Sequence, residues 1–297
     1  MSLSEKDGGL PPDDVVMADD DILAESVRLV AQHHDPLPGA MVRIALAPCS
    51  PFSVSPELMT RTAELAESLD VRLHTHLAEN AEDDEFSLQR FGRRPVDQFA
   101  EVGWLGPRAW VAHCVRPNLD EVGRLGQAGV AVAHCPSSNM ILASGIAPVT
   151  AMRAAGVDVG IGCDGSSSAD SASLWYETRL ALLLSKLSSG ADAATARDAL
   201  EMATRGGAAC LGRQGELGQL SVGAAGDLVA WRLDGVAYAG AVSDPVEALL
   251  RCGPASACHT VVGGRLVVEG GQLVSNQIDD RLRRHRAAAS RLQGPLS

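Results

Sequence analysis

The sequence has few aromatic side chains, no long apolar run and no hydrophobic leader at its start. Aromatic residues make up only 3% of its 297 residues, too few to build the stacking platforms that bind single-stranded nucleic acid. No stretch approaches the roughly 18 consecutive apolar residues that a membrane span requires. Residues 1–14 are polar and rich in proline and glycine, unlike a signal peptide. We therefore expect a cytoplasmic protein.

Closely spaced cysteines and positive charge are also scarce. The seven cysteines are dispersed without a Cys-x-x-Cys pair, which argues against a disulfide framework and against a thiolate zinc cluster. We predict that most of them are small buried side chains, and we assign none a catalytic role. Lysine and arginine number 25 against 37 aspartate and glutamate, and the net charge of -12 repels phosphate backbones and acidic membrane surfaces. We expect no nucleic-acid partner and no membrane partner.

Short apolar runs alternate with longer segments of helical period over the first two thirds of the chain. This alternation is typical of parallel βα units and predicts an α/β protein. The predicted strands are 44–49, 71–77, 109–115, 130–136 and 157–163. The predicted helices are 20–33, 56–69, 82–102, 118–128, 147–155, 171–189 and 194–211, and the one at 82–102 is expected to be broken near Pro95.

The pattern changes near Gly215, where short apolar segments become punctuated by glycine. Such a sequence pattern is typical of a small module of β-hairpins. The last stretch, 278–292, carries five arginines and predicts a surface helix. We therefore divide the chain into a βα domain, a small β-rich domain and a C-terminal helix with its tail, with bounds 1–213, 214–275 and 276–297.

Polar residues stand at the carboxyl ends of the predicted strands. His74, His76, His113 and His134 lie in or at the ends of strands, and Asp164 closes the fifth one. In a parallel α/β barrel these strand ends form the active face. A single buried histidine often only satisfies a backbone carbonyl, but several on consecutive strand ends converge on one point of the barrel mouth. The roles of His74 and His134 stay open.

The chemistry of these residues indicates metal-assisted hydrolysis. His76 is followed three residues later by Glu79, so that a metal ligand stands beside a group that can move a proton. Asp164 can reach the same metal from across the mouth, as an oxygen ligand and as a proton acceptor from bound water. His113 would stand opposite, as an electrophile or a base.

Four motifs resemble the last four strand-end motifs of the amidohydrolase superfamily, and most closely its branch of heterocycle deaminases with the triazine hydrolases and 8-oxoguanine deaminases. The segment IALAPCSPF at 44–52 is most similar to the 8-oxoguanine deaminase group, and the glycine-punctuated C-terminal text is similar to part of the family's small β-sandwich. The motifs are HTHLAEN (74–80), WVAHCV (110–115), VAHCPSSNM (132–140) and GCDGSSSADS (162–171).

The resemblance implies a (β/α)8 TIM-type barrel, of which strands four to eight are represented here, with the C-terminal part of a small β-sandwich. It implies His76 and Asp164 as metal ligands, Glu79 as the proton donor to a ring nitrogen, and His113 as the group that polarises the water or the tetrahedral centre. Zinc is the expected metal, with iron as an alternative. Nothing in the sequence identifies the substrate-binding residues.

The function implied is metal-dependent hydrolytic deamination of an amino-substituted nitrogen heterocycle, foremost 8-oxoguanine to urate and ammonia. Two alternatives on the same scaffold are a triazine amino- or chlorohydrolase and a pterin deaminase. An alternative of another class is an inactive truncated fragment that serves as a structural or interaction module. A phosphate-binding barrel enzyme is weaker, because no glycine-rich phosphate loop follows the last strand.

The sequence departs from the family pattern at its beginning. The family's His-x-His metal ligands have no counterpart before position 74, since His33 and His34 are adjacent and fall in a predicted helix. We expect strands one to three to be missing, through a late start codon, a truncated gene or a true short protein. Such a chain would expose two sheet edges and require a partner, including a second copy of itself. With two of about four ligands it would bind zinc weakly and be inactive alone.

Overall fold

The computed structural model describes residues 1–293. The chain divides into two compact units, the first spanning Met1–Gln219 and the second beginning at Leu220. Within residues 1–293, no helix combines the length and the apolar character that a membrane crossing demands. The domain bounds 1–213, 214–275 and 276–297 stay predictions, and the last four residues of the third segment, 294–297, lie outside the described residues.

The first unit is built on a parallel sheet of five strands. Each strand pairs in parallel with the next along the chain, in the order β1-β2-β3-β4-β5, as successive βα units produce. This confirms the predicted α/β fold. The strands are β1 (Ala45–Leu46), β2 (Arg72–Leu77), β3 (Ala109–His113), β4 (Ala131–His134) and β5 (Val159–Ile161).

Ten helices accompany this sheet in the described residues, and several begin at side-chain caps. Asn118 accepts from the amide of Glu121, whose carboxylate accepts from the amide of Asn118, a capping box that fixes the start of a helix. The helices are α1 (Asp19–His33), α2 (Pro56–Ser68), α3 (Ala81–Phe91), α4 (Pro95–Glu101), α5 (Leu119–Ala128), α6 (Pro136–Ile141), α7 (Val149–Ala154), α8 (Leu174–Ser189), α9 (Ala196–Glu201) and α10 (Gly207–Cys210).

The observed elements differ from the predicted ones in three places. The strand expected at 44–49 pairs regularly only over Ala45–Leu46, because Pro48 has no amide to donate to a ladder. The break expected near Pro95 in the 82–102 helix is confirmed, since α3 stops before Gly92, which adopts a left-handed φ of 69°, and α4 begins at Pro95. The helix expected at 194–211 is interrupted by a π-helical turn at Met202–Gly206. Helix α6 was not predicted.

The second unit is organised around an antiparallel sheet. Its strands β6 (Leu228–Trp231), β7 (Ala257–Val262), β8 (Arg265–Glu269) and β9 (Gln272–Leu273) pair in chain order. Gly263 and Gly264 join β7 to β8 with positive φ angles of 54° and 75°, as a tight hairpin turn requires. Helix α11 (Pro245–Arg251) was not predicted, whereas helix α12 (Ile278–Gln293) lies where a helix was expected.

Candidate metal centre

Three side chains from three strand ends meet at the carboxyl edge of the parallel sheet. His76 is the penultimate residue of β2's RLHTHL run, His113 is the last residue of β3, and Asp164 follows β5. One donor atom of each lies within 4.8 Å of the donor atoms of the other two. Among residues 1–293, this is the one group of three histidine, cysteine or acidic side chains with donor atoms so close together.

The backbone at these strand ends is strained in the same way. Ala78, His113 and Asp164 adopt left-handed φ angles of 50°, 65° and 62°, although none of them is glycine. Such conformations cost free energy and persist where the surrounding structure imposes them, which happens most often at functional sites. Here they turn the chain out of each strand at the point where the polar side chains converge.

His113 is held in one orientation. Its ring is only 1% exposed, and Nδ1 donates a hydrogen bond to Oδ1 of Asn139 at 2.9 Å. In the neutral ring this assignment places the lone pair on Nε2. That atom lies 3.8 Å from a carboxylate oxygen of Glu79 and 3.8 Å from one of Asp164. The hydrogen bond to Asn139 therefore leaves Nε2 as the ring atom of His113 that faces the site.

His76 stacks on His113, with ring centroids 5.2 Å apart. Its Nδ1 atom lies 2.5 Å from the carbonyl oxygen of Cys49, so that Nε2 is the ring atom left for a ligand. Contact with Cys49, opposed by burial, raises the pKa of His76 to about 9. Because only the neutral imidazole binds a metal, a cation that binds here must displace a proton from His76.

Asp164 is fixed as a carboxylate by three donors. Its Oδ2 atom accepts hydrogen bonds from the hydroxyls of Ser138 at 2.6 Å and Ser168 at 3.1 Å. Its Oδ1 atom accepts from the amide of Gly165 at 2.7 Å. Burial opposes ionisation, but the hydrogen bonds from Ser138 and Gly165 and the proximity of His113 outweigh it and lower the pKa of Asp164. Asp164 thus presents an ionised carboxylate to the group.

Glu79 stands beside this group without belonging to it. It lies between β2 and α3, and its backbone amide donates to Asp83 at 2.8 Å, which anchors the loop. Its side chain is 13% exposed and approaches His113 at 3.8 Å. A carboxyl group so placed can exchange a proton with a molecule that sits on the His76, His113 and Asp164 donors.

The donor set fits a divalent metal ion. Two imidazole nitrogens and one carboxylate oxygen are ligands that zinc and iron accept in proteins. The carboxylate oriented by two hydroxyls and the imidazole oriented by Asn139 match the outer hydrogen bonds that usually support metal ligands. The group of histidine and aspartate donors therefore supports a divalent metal ion at this edge of the sheet.

The other two strand histidines lie outside the group. His74 stacks on Trp110 at 4.6 Å and bonds to its backbone carbonyl, which is a packing arrangement. His134 is 1% exposed, and burial lowers its pKa to about 4, so it is neutral at pH 7. The sequence reasoning missed Ser138 and Asn139 as partners of the site, although the motif that contains them follows a strand end.

Comparison with known proteins identifies the family of the chain and two similar proteins. The amidohydrolase family model matches residues 14–267. The chain is 50% identical over 292 residues to an 8-oxoguanine deaminase from Pseudomonas aeruginosa, covering 98% of this chain and 65% of that protein. It is 38% identical over 276 residues to a hydroxydechloroatrazine ethylaminohydrolase from a Pseudomonas species, covering 92% of this chain and 57% of the relative.

A solved structure of high similarity contains a metal. The atrazine chlorohydrolase from Arthrobacter aurescens, crystallised in complex with zinc, superposes with a TM-score of 0.92 at 37% identity, covering 97% of this chain and 64% of that one. The chain thus spans between 57% and 65% of the length of these three proteins. The comparison with a zinc complex agrees with the donor set found here.

Proposed function

Since the chain belongs to the amidohydrolase family, we propose that it forms the larger part of a metal-dependent hydrolase that deaminates an amino-substituted nitrogen heterocycle. The observation that carries the proposal is the meeting of His76, His113 and Asp164 within 4.8 Å beside Glu79. The chain spans 65% of the 8-oxoguanine deaminase relative, so the activity proposed is that of the whole protein.

The proposed metal is zinc, held by His76 and Asp164, with His113 close to the same point. When bound, zinc acts as a Lewis acid that lowers the pKa of water to about 7 and makes hydroxide available at neutral pH. The positions of the protein ligands follow from their surroundings: Ser138 and Ser168 hold the oxygen of Asp164, and the carbonyl of Cys49 orients His76. Iron is the alternative metal for this donor set.

The residues around the donor group divide the proton transfers between them. Water adds to the ring carbon that bears the amino group, and Asp164 or His113 accepts the proton that the water loses. Glu79 donates a proton to the adjacent ring nitrogen as the carbon becomes tetrahedral. The proton held by Asp164 or His113 then passes to the amino group, the carbon–nitrogen bond breaks, and ammonia leaves. As the hydroxyl on that carbon becomes the carbonyl of the product, its proton returns to Glu79. Atoms and charges balance with one water consumed per ammonia released.

The proposed substrate is 8-oxoguanine, which would give urate and ammonia. The 50% identity to a deaminase of that name supports this choice over a triazine, for which the identity to a relative is 38%. The net charge of -12 disfavours polyanionic substrates. A site that binds the extra carbonyl and N–H of 8-oxoguanine leaves buried polar groups unpaired with guanine, so we expect guanine to be slower by about 10² to 10⁴.

The proposal is tested by ammonia release from a panel of heterocycles. Two proteins are assayed with zinc: the chain itself and a chimera that joins to it the part of the Pseudomonas aeruginosa relative it does not cover. The panel contains 8-oxoguanine, guanine, isoxanthopterin and hydroxylated triazines. We expect the chimera to have its highest kcat/KM with 8-oxoguanine, and its His76→Ala variant to be inactive.

Each other outcome rejects a defined part of the proposal. A triazine or pterin turned over faster than 8-oxoguanine rejects the substrate but keeps the hydrolase. A folded, zinc-loaded chimera that releases no ammonia from any compound rejects the deaminase. Zinc content measured by elemental analysis after dialysis against a chelator and reloading tests the metal. An unchanged content in the His76→Ala variant rejects the assigned ligands.

A further inference from the structure

Helix α6 is too short to be stable by itself. It comprises only six residues, Pro136–Ile141, and Cys135 at its N-cap makes no side-chain capping bond. Isolated helices of fewer than about 12 residues are marginal in water because nucleation is costly. Its position therefore depends on contacts with other elements, and those contacts determine where its side chains lie.

Consecutive residues of α6 hold two different members of the metal group. Ser138 donates to Asp164 at 2.6 Å, and Asn139 accepts from His113 at 2.9 Å. Both Ser138 and Asn139 are 0% exposed, so neither bond competes with water. A displacement of α6 would therefore change the orientation of a carboxylate and of an imidazole at the same time.

Glu177 of α8 anchors the first turn of α6. Its Oε2 atom accepts a hydrogen bond from the backbone amide of Ser137 at 2.9 Å, the residue directly before Ser138. The side chain is 0% exposed, and its other oxygen has no hydrogen-bond partner in the described part of the chain. Burying a carboxylate with so few partners is costly, and an apolar residue of similar size would avoid that cost. The acceptor function explains why a carboxylate stands there.

We propose that Glu177 is a positioning residue for the metal centre, which acts through α6 on both His113 and Asp164. Within the described residues, no hydrogen bond or ion pair joins Glu177 to either of them. Its carboxylate accepts from the backbone amide of Ser137, and the next two residues of the helix, Ser138 and Asn139, bond to Asp164 and His113. The inference deepens the proposed metal site and rests on it for the functional consequence. The geometric part, the orientation of His113 through α6, stands without metal.

The test compares Glu177→Leu with Glu177→Gln. Glutamine keeps an oxygen that accepts from Ser137, whereas leucine fills the space without an acceptor. The first measurement is the tautomer of His113 in the metal-free chain, from its side-chain nitrogen chemical shifts in long-range proton–nitrogen NMR spectra. The second is the zinc affinity of each variant in the chimera described above, measured by competition with a chromophoric chelator. Circular dichroism establishes that each variant is folded at the temperature used.

We expect the glutamine variant to keep the Nδ1-protonated ring of His113 and the zinc affinity of the parent chimera. The leucine variant should show a mixture of tautomers and bind zinc about 10-fold to 100-fold more weakly, the usual effect of losing an outer hydrogen bond to a ligand. Two control variants test separately the contact of α6 with His113 and its contact with Asp164. Asn139→Ala should change the tautomer of His113. Ser138→Ala should lower the zinc affinity and leave the tautomer of His113 unchanged.

A folded Glu177→Leu variant with the parent's tautomer and zinc affinity overturns the proposal, because a packing role alone predicts that result. If the leucine variant does not fold, hydrogen exchange of the Ser137 amide in the unaltered chain decides: protection supports the anchor, and free exchange refutes it. If no variant binds zinc, the metal proposal fails, while the tautomer of His113 still decides whether Glu177 positions α6.

Discussion

The two carboxylates nearest to His113 differ in how firmly they are held. Asp164 accepts three hydrogen bonds that keep it ionised and in place, as a ligand requires. Glu79 has its backbone anchored, while its side chain faces the site at 13% exposure. A held carboxylate suits binding a cation, and a freer one suits transferring a proton. The proposed function accordingly assigns cation binding to Asp164 and proton transfer to Glu79.

This assignment predicts the behaviour of Glu79→Gln. Glutamine keeps the shape of the side chain but cannot deliver a proton, so turnover by the chimera should fall by about 10² or more. Zinc content should stay near that of the parent, because Glu79 is not among the three grouped donors. Asp164→Asn is the contrasting variant and should lower both. Steady-state ammonia release and elemental analysis provide the two readings, and a Glu79→Gln protein of near-parental activity would return Glu79 to a structural role.

His134 predicts a pH dependence of stability. Its folded-state pKa is about 4, below the value of about 6.5 in an unfolded chain. Above pH 6.5 neither state binds this proton, and below it the unfolded state binds more, so stability falls with falling pH until about pH 4. The full effect amounts to about 3 kcal/mol. His134→Leu should remove this part of the acid sensitivity.

The measurement for His134 is urea unfolding of both proteins at several pH values between 4 and 7. The parent should lose stability relative to His134→Leu as the pH falls. Parallel curves for the two proteins would show that His134 takes up its proton as readily when folded as when unfolded.

At the scale of elements, the backbone of the π-helical turn Met202–Gly206 packs directly against the backbone of β5. The π-helical turn ends at Gly206, where a Cβ atom would lie only 2.0 Å from the carbonyl oxygen of Val159 in β5. Gly206 itself has a helical φ of -61°, so glycine is required there by proximity and not by backbone conformation. The turn can thus approach β5 more closely than any residue with a side chain would allow.

This contact predicts that alanine substitution has different effects on stability at Gly206 and at Gly207. Gly206→Ala forces the turn away from β5 and should lower the free energy of unfolding by about 1–3 kcal/mol or more, as overpacking does. Gly207→Ala is the matched control, because its Cβ would meet nothing within 4 Å and alanine favours a helix by up to about 1 kcal/mol. Chemical denaturation of both variants tests the contrast, and equal destabilisation would contradict it.

The first unit as a whole is tied together by Glu216, which joins the segment before β1 to the segment after α10. Its carboxylate accepts from the amide of Gly39 at 2.5 Å and from Arg43 at 3.3 Å, across 177 and 173 residues of sequence. Arg213 pairs with it locally. The hydrogen bond from Arg213, followed by that from Gly39, lowers the pKa of Glu216 to about 2. One charge therefore connects distant parts of the chain.

Glu216→Gln should destabilise this unit in a pH-dependent way. The unfolded pKa is about 4.3, so the stabilisation is complete above that pH and is lost as the pH falls towards 2. Allowing for solvent screening, we expect a loss of about 1–2 kcal/mol at pH 7 and little difference near pH 2. Urea unfolding at both pH values measures it, with Glu25→Gln in the exposed Glu25–Arg28 pair as a control of little effect. A constant difference at all pH values would exclude the ionised carboxylate as the cause.

Much of the fold could be predicted because its signals are local. The alternation of apolar runs with helical periods is visible within each segment, and the strand ends at His76, His113 and Asp164 follow directly from it. Helix α6 was missed because six residues that start at a proline carry no helical period of their own. The π-helical turn was missed because it depends on the approach of Gly206 to another element.

The sequence by itself determined the βα order and the presence of imidazoles and acids at successive strand ends, and it predicted a metal-assisted chemistry for them. Only the tertiary structure decided which histidines meet the acids: His113 joins His76, while His74 and His134 do not. It also decided which residues support the site. The contacts of His113 with Asn139 and of Ser137 with Glu177 span 26 and 40 residues, and such separations carry no local period in the sequence; they arise because folding brings separate strand ends and helices to one edge of the sheet.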